Sequence, residues 1–581
     1  MAVIKISAFA GERPLISPRL LPETAATAAS NLRLDDGALT PINKPSVTLG
    51  SASDVGDQTI YLHGSDWLSW SSVVHASPGP VAADRLYYTG DGEPKMRVAG
   101  TIYPLALEPP ASAPIVTISG TGSGDVVSRT YAWTWVTDFG EESAPSPISD
   151  LEDWQPGQTV TLSGFPSVPS GRNITKQRIY RSQTGSSGTY LYFIAERAAS
   201  ASDFVDTVAV DAFNEALPSA GWTPPPDDLS GLISMPNGMM AAFVGREVFF
   251  SEPYRPHAWP ERYTMTCDSD VVGLCSLGSV LIVMTKANPY LMSGSHPDSM
   301  QSQKLEVNFG CINRRGIVDL GFAACYPAAD GLVAIGADGS VSLATRQLFS
   351  REDWLALSPW TCVAGQHAGA YVLFYDTFQP NGDRYAGSLM INVGAGEYLV
   401  RSPEIAACVY FSSDEAALYF KPPSETNIYR FDDPDMPPDT YYWRSKEYWT
   451  TRPENFGAIL VDLGDGSSLQ SVAAIEAERV AIEAANQAIL TADMLLSEVN
   501  AAEVNALAVA GDTLMELPDY DSIVINVYAD RKLVRSITKA GSIDRLPAGS
   551  KTRLWEVSVS ANVQVTQIIM AGTIDELRNM Q

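Results

Sequence analysis

One hairpin unit that keeps returning constrains this chain more than any other feature of its 581 residues. TIYLHGSDWLSW (59–70) and DRLYYTGDGEPKMRV (84–98) each read as strand, glycine-bearing turn and strand. The pattern returns in MMAAFVGREVFFSE (239–252), SVLIVMTKANPYLMSG (279–294) and GLVAIGADGSVSLAT (331–345). It continues in AYVLFYDTF with GSLMINVG (370–394) and in AALYF with NIYRF (416–431). From residue 239 these hairpins begin 39 to 52 residues apart, the period of propeller blades built of about four strands each. The spacing predicts a β-propeller-like domain in a mainly β protein. Unrelated hairpins in a β-sandwich are the alternative.

The chain is too long for one core, so several domains are expected. Hydrophobic residues make up 45% and charged residues 18%, which suits folded β structure rather than disorder. A net charge of −28 argues against gripping nucleic acid through phosphates, although an acidic wall lets a duplex slide past without sticking. Six cysteines (Cys267, Cys275, Cys311, Cys325, Cys362 and Cys408) form no CxxC, and only five histidines accompany them. Buried free thiols made in a reducing compartment are therefore expected, with no zinc site. The opening MAVIKISAFAGERPLISPRLLP lacks the apolar core of a signal peptide, and no apolar run of about 18 residues predicts a membrane span.

Residues 1–50 read as an extended arm, because prolines at 14, 18, 22, 41 and 45 exclude a long helix. ETAATAASNLRL (23–34) is predicted as a short helix, and the arm is expected to gain order on a neighbour, within the chain or, as the favoured choice, across a subunit boundary. First blades are placed at 51–112 and the remaining blades at 223–440. Between them, 113–222 holds short alternating strands parted by Gly, Pro and Ser, which predicts an inserted β-sandwich that ends at WTPPPDD (222–228). Residues 441–581 read as a C-terminal β domain interrupted by an Ala-rich helical insertion, 467–512. There Ile475, Ile482, Ile489 and Leu496 recur every seven residues, with Ala485, Ala492 and Val499 three further on. That is a coiled-coil seam, against its own domain, against a neighbouring subunit or against itself as a hairpin.

Chemistry-bearing motifs are few. GxSxG, GxxxxGK[ST], HExxH and a helix-opening GxGxxG are all missing, and GTGSGD (120–125) sits between strands as a turn. DSD (268–270), DDPD (432–435) and DLGDG (462–466) carry oxygens a calcium ion could use, but no EF-hand spacing, so solvated turns are expected. His257 in YRPHAWPERY stands with Arg255, Trp259, Glu261 and Arg262, a set that could orient a sugar. Pro256 and Pro260 equally suit a rigid connection between blades. WVTDFGEESAPSP (135–147) places Asp138, Glu141 and Glu142 beside Trp133 and Trp135. A hydrolytic pair needs two carboxyls converging across one substrate, and neighbours in a tight loop seldom converge, so these acids are expected at the polar tip of a corner. No catalytic, cofactor-binding or metal-binding residue is predicted.

Several segments in order resemble one family. NLRLDDGALTPINKPSV (31–47), TWVTDFGEESAPSP with RIYRSQTG (178–185) and DFVDT, and HAWPERYTM after REVFFSEPYRP look like parts of tail nozzle proteins of short-tailed bacteriophages. INVYADRKLV (525–534) and IDRLPAGSKTRLWEVSVSANVQVTQIIMAGTIDEL (543–577) are similar to the C-terminal platform strands of that tail tubular protein B-like family. The resemblance implies a propeller with an inserted fibronectin-like sandwich and a platform domain. It implies a non-enzymatic virion protein of the tail, made in the host cytoplasm, with six copies in a ring below the tail adaptor. Tail fibres or spikes would dock on it, and double-stranded DNA would pass through as cargo. A glycan-binding or glycan-degrading propeller is the second reading. An adhesin whose sandwich binds a receptor is the third.

Overall fold

The computed structural model describes residues 3–185, 188–212, 214–394, 397–464, 472–495 and 522–579. Each recurring hairpin belongs to a small antiparallel unit. The hairpin Thr59–His63 and Asp66–Trp70 stands as two strands. The next unit runs His75–Pro78, Arg85–Thr89, Lys95–Val98 and Thr101–Pro104 in simple meander order. Further four-stranded meanders begin at Ser230–Ser234, Val271–Leu277 and Val318–Asp319, and the meander from Val363–His367 is the first part of a ten-stranded sheet that runs on through Ala26–Ser30 into the C-terminal domain. The last unit runs Cys408–Ser412, Ala417–Lys421 and Asn427–Arg430, and its fourth strand is Ser46–Ser51 from the N-terminal arm.

The first strands of these units pack side by side about an axis. Ser230–Ser234 lies between His75–Pro78 and Val271–Leu277; Val318–Asp319, Val363–His367 and Cys408–Ser412 follow, and Thr59–His63 packs beside the last. That gives seven blade positions, and the fold is a β-propeller-like domain. Val47 opposite Tyr429 and Ser46 opposite Arg430 close the ring with a strand borrowed from the other end of the chain. A strand shared in this way ties the two ends of the propeller together.

The arm is bound within its own chain, one of the two placements expected for it. Val3–Ile6 pairs with Val565–Ala571, and Glu12 exchanges backbone hydrogen bonds with Leu399. Glu12 is buried, with Oε1 accepting the Ala29 N–H at 2.8 Å and Oε2 2.9 Å from Arg401 Nε. The predicted helix at 23–34 is instead the strand Ala26–Ser30, parallel to Tyr398–Ser402 on one side and antiparallel to Tyr441–Ser445 on the other. Alanine's helix preference is worth under about 1 kcal/mol per residue. Here Ala26 and Ala29 are the small side chains that fit where a blade meets the C-terminal domain, and pairing on both edges outweighs that preference.

That C-terminal β domain pairs Thr552–Ala561 with Ile523–Ala529 and with Tyr441–Ser445, and a second sheet holds Ala458–Leu463 and Val565–Ala571. Trp443, Trp555, Ile525, Val557 and Val559 fill its core. The helical insertion appears as Val472–Leu495. The inserted sandwich has two three-stranded sheets, Ile115–Ser119/Thr159–Ser163/Phe204–Asp206 and Tyr131–Thr137/Ile174–Gly185/Gly188–Ala198. Trp133, Trp135, Leu162, Phe165 and Ile179 pack between them. Among the described residues, no helix is long and apolar enough to cross a membrane.

Candidate functional site

WVTDFGEESAPSP is not a solvated corner. Gly140, at φ +75°, lets Thr137–Gly140 turn tightly, and the chain then returns along the strand Tyr131–Thr137 as a strap. Ser143, Ser146 and Ser149 each donate a backbone N–H, at 2.9 Å, to the carbonyls of Trp135, Trp133 and Tyr131 respectively. Their hydroxyls accept the N–H groups of the same three residues at 3.0, 3.2 and 2.9 Å. Three strap residues thus serve two strand residues, and Pro147 with Ile148 bulges outward. All seven residues of that strand are consequently buried, not one face alone.

Glu141 and Glu142 lie at the start of the strap and are buried, which corrects their expected place at a polar tip. They point apart. Glu142 Oε1 accepts from Thr134 Oγ1 at 2.8 Å and Tyr180 Oη at 2.5 Å, while Oε2 is 2.8 Å from Arg178 Nη1. Burial, then the Glu142 charge, pushes the Tyr180 phenol well above its ordinary value, so it remains a donor. Glu141 Oε2 is 2.8 Å from Arg172 Nη2, and Oε1 is 3.8 Å from Arg85 Nη1 and 3.9 Å from His257 Nδ1. Only Asp138 of the three acids is exposed.

This cluster is the joint between sandwich and propeller. Arg85 opens a blade strand and lies over the Phe139 ring at 5.1 Å. Arg172 also donates to the carbonyls of Ala106 and Leu105, on the connection leading into the sandwich. His257 donates through Nε2 to the Glu142 carbonyl at 2.9 Å, and Trp222, on the connection leading out, packs edge-on against its ring at 5.8 Å. Burial drives His257 down to about 4, opposed in part by Glu141 and assisted by Arg172. Two motifs read separately in the sequence, WVTDFGEESAPSP and YRPHAWPERY, therefore meet in space. Arg85, Tyr87 and Arg172 complete the site with no sequence signal of their own, whereas the Ser-x-x-Ser-x-x-Ser spacing of the strap was a readable one.

The companions of His257 do not converge on it. The loop lies between two strands of one blade, Glu247–Phe250 and Met265–Thr266, rather than between blades. Trp259 is buried with its indole N–H on the Pro256 carbonyl, Arg262 reaches Tyr263 and Asp298, and Glu261 is exposed. DDPD is also not a solvated turn: Asp432 is buried against Arg33, His367 and the Asn43 N–H, and Asp433 accepts from Ser46. Asp268 and Asp270 pair with Lys304 and Lys286. Asp465 of DLGDG lies outside the described residues. All six cysteines are buried free thiols.

On the helix, Ile482, Ala485 and Ile489 are half-buried, while Val480 and Leu490 are 52% and 44% exposed. Ile475 lies within the helix but its side chain is outside the described set, as are Leu496, Ala492 and Val499.

A second feature lies on the propeller axis. A cavity of about 430 Å³ is lined by first strands of six of the blade units, with His75, Asp319, Gln366, Tyr61 and Tyr410 among its residues. Arg315 reaches from its blade to the carbonyls of Gln58 and Ala407, at the starts of two other first strands. Beside it, Arg314 donates to the Val272 carbonyl at 2.8 Å and lies over Phe243. Burial raises the Asp319 carboxyl above its ordinary value.

No family model and no curated protein matches the chain. Among solved structures it is similar to extracellular domains of two hybrid two component systems from B. thetaiotaomicron. One match has 9% identity and a TM-score of 0.28, covering 73% of this chain and 46% of the other; the second has 8% and 0.26, covering 71% and 46%. The chain thus spans less than half the length of either neighbour. At such scores the architecture rests on the strand pairing described above.

Proposed function

We propose that this chain is a structural protein of a short-tailed bacteriophage tail, a nozzle whose copies form a ring around the distal DNA-ejection channel. In this reading it resides in the virion, below the tail adaptor, and carries fibres or spikes. The observation that carries the reading is the long helix. None of its described side chains is buried, and Val480, Ile482, Ile489 and Leu490 keep apolar surface that the described residues leave uncovered. A seven-residue apolar spacing fits another helix or helix-receiving groove on a neighbouring copy. Two further features support a wall element: the arm weaves propeller and C-terminal domain together, and −28 per copy favours a bore that repels phosphate.

Electron microscopy of the purified protein tests this directly. Sixfold rings with an axial hole wide enough for a duplex are expected; monomers persisting at high concentration overturn the reading. Ile482→Asp with Ile489→Asp is expected to weaken assembly at least about a hundredfold, because burying a carboxylate costs several kcal/mol. The circular dichroism of the β domains should be unchanged. Insoluble protein instead places the seam against the chain's own domains.

The second reading, a glycan-binding or glycan-degrading propeller, is favoured by the axial cavity, where Asp319, Gln366 and two tyrosines line one space. Saturable saccharide binding that Asp319→Asn abolishes would move the assignment there.

A further inference from the structure

Four buried polar atoms at the joint keep hydrogen-bonding capacity that no described residue meets: Tyr87 Oη, Glu141 Oε1, Arg172 Nη1 and His257 Nδ1. Each belongs to a residue more than nine-tenths buried. Such groups are rarely left unsatisfied in a folded protein, and four in one cluster point to a shared partner.

Their chemistry defines that partner. The Glu142 carbonyl can only accept, so His257 Nε2 carries the ring proton. In the neutral ring Nδ1 is then a bare acceptor, 3.9 Å from Glu141 Oε1, which is another acceptor. Arg172 Nη1 can only donate, and the Tyr87 phenol, held above its ordinary value first by burial, stays protonated and donates. The Tyr87 oxygen has the Arg85 side chain as a neighbouring donor, which leaves its own O–H to donate, and it also feels the charges of Glu141 and Arg172. The joint therefore offers two donors and two acceptors, and the acceptors, Glu141 Oε1 and His257 Nδ1, are 3.9 Å apart, a span that one small molecule can bridge.

We propose that this joint binds one water molecule, accepting from Arg172 Nη1 and Tyr87 Oη and donating to Glu141 Oε1 and His257 Nδ1. Buried waters make two to four hydrogen bonds, and this one would make about four. An anion would face a carboxylate and a bare ring nitrogen. A cation would face the Arg85 and Arg172 guanidiniums. A small neutral molecule with both donor and acceptor capacity is what the site selects. Because Tyr87 and His257 belong to the propeller and Glu141 and Arg172 to the sandwich, the water ties the two together, whichever function the whole chain serves.

A crystal structure of the full chain at neutral pH, at a resolution that shows ordered water, tests the site. One peak within hydrogen-bonding reach of all four atoms is expected, with no anomalous signal after a bromide soak. A dry gap, or bromide in the position, overturns the proposal. Tyr87→Phe keeps the ring and removes one donor. Chymotrypsin cleavage after Trp222 should then speed up roughly three- to tenfold, the loss of one hydrogen bond. Cleavage at the wild-type rate overturns the tie between the domains.

Discussion

Glu141→Ala is expected to destabilise the inserted sandwich and its joint by about 3–5 kcal/mol, whereas Asp138→Ala, three residues earlier, should stay within about 0.5 kcal/mol. The asymmetry follows from burial. Glu141 is 6% exposed and, among the described residues, is the only carboxylate within 4 Å of Arg172, whose side chain is 6% exposed, and of Arg85, at 12%. Removing it leaves two guanidiniums shielded from water with no opposing charge beside them, and that penalty, rather than the lost attraction, sets the magnitude. Glu141→Gln should fall between the two, since an amide oxygen still accepts from Arg172 while the charge is gone. Urea denaturation followed by tryptophan emission suits the measurement, because Trp133 and Trp135 pack in the sandwich core. Equal effects of Glu141→Ala and Asp138→Ala would show that the cluster does not hold the sandwich in place.

The contrast between those two acids also shows where sequence reading stops. A blade's central hairpin is contiguous in the chain, so seven hairpins were readable as seven repeats of one unit. The strands that finish blades and join domains are not contiguous. Ser46–Ser51 finds its partner at Asn427–Arg430, and Ala26–Ser30 lies between strands near residues 400 and 443, so local propensity misread it as helix. Charge misled in a similar way. A Gly-turn followed by two glutamates and two prolines reads as solvated, and only Arg85, Arg172 and Arg178, distant in sequence, make burial of those glutamates tolerable. DDPD was misjudged for the same reason, since Arg33 and His367 lie 399 and 65 residues from Asp432. The long helix was legible in its spacing, because heptads are local. What covers its seam depends on surfaces that a heptad does not encode.

Acid should loosen the joint before carboxylate protonation alone would account for it. His257 has an ordinary value of 6.5 and is driven to about 4 in the folded chain, chiefly by burial. Between those values the unfolded chain binds a proton that the folded chain does not, so stability falls as pH drops through that window. Below about pH 4 the native ring also protonates, and this group adds no further slope. A displacement of roughly 2.5 pH units corresponds to about 3 kcal/mol at full expression. The charged groups facing the ring are Glu141 and Arg172 from the sandwich and Arg255 from its own loop; the first favours protonation and the other two oppose it. His75 is driven to about 4 as well, chiefly by burial and then by the Arg314 charge, so the contribution of His257 is read as the difference between the wild type and a variant that changes His257 alone. Gln in place of His257 retains an N–H for the Glu142 carbonyl and cannot titrate. Denaturation midpoints at pH 7.5, 5.5 and 4.5 should therefore decline less steeply in His257→Gln than in the wild type, with the difference approaching about 2–3 kcal/mol at the lowest pH. Parallel declines in the two proteins would mean that the folded joint leaves His257 titrating as it does in the unfolded chain, and a shallower decline in the wild type would mean a protonated ring whose Nδ1–H faces Glu141 as an ion pair.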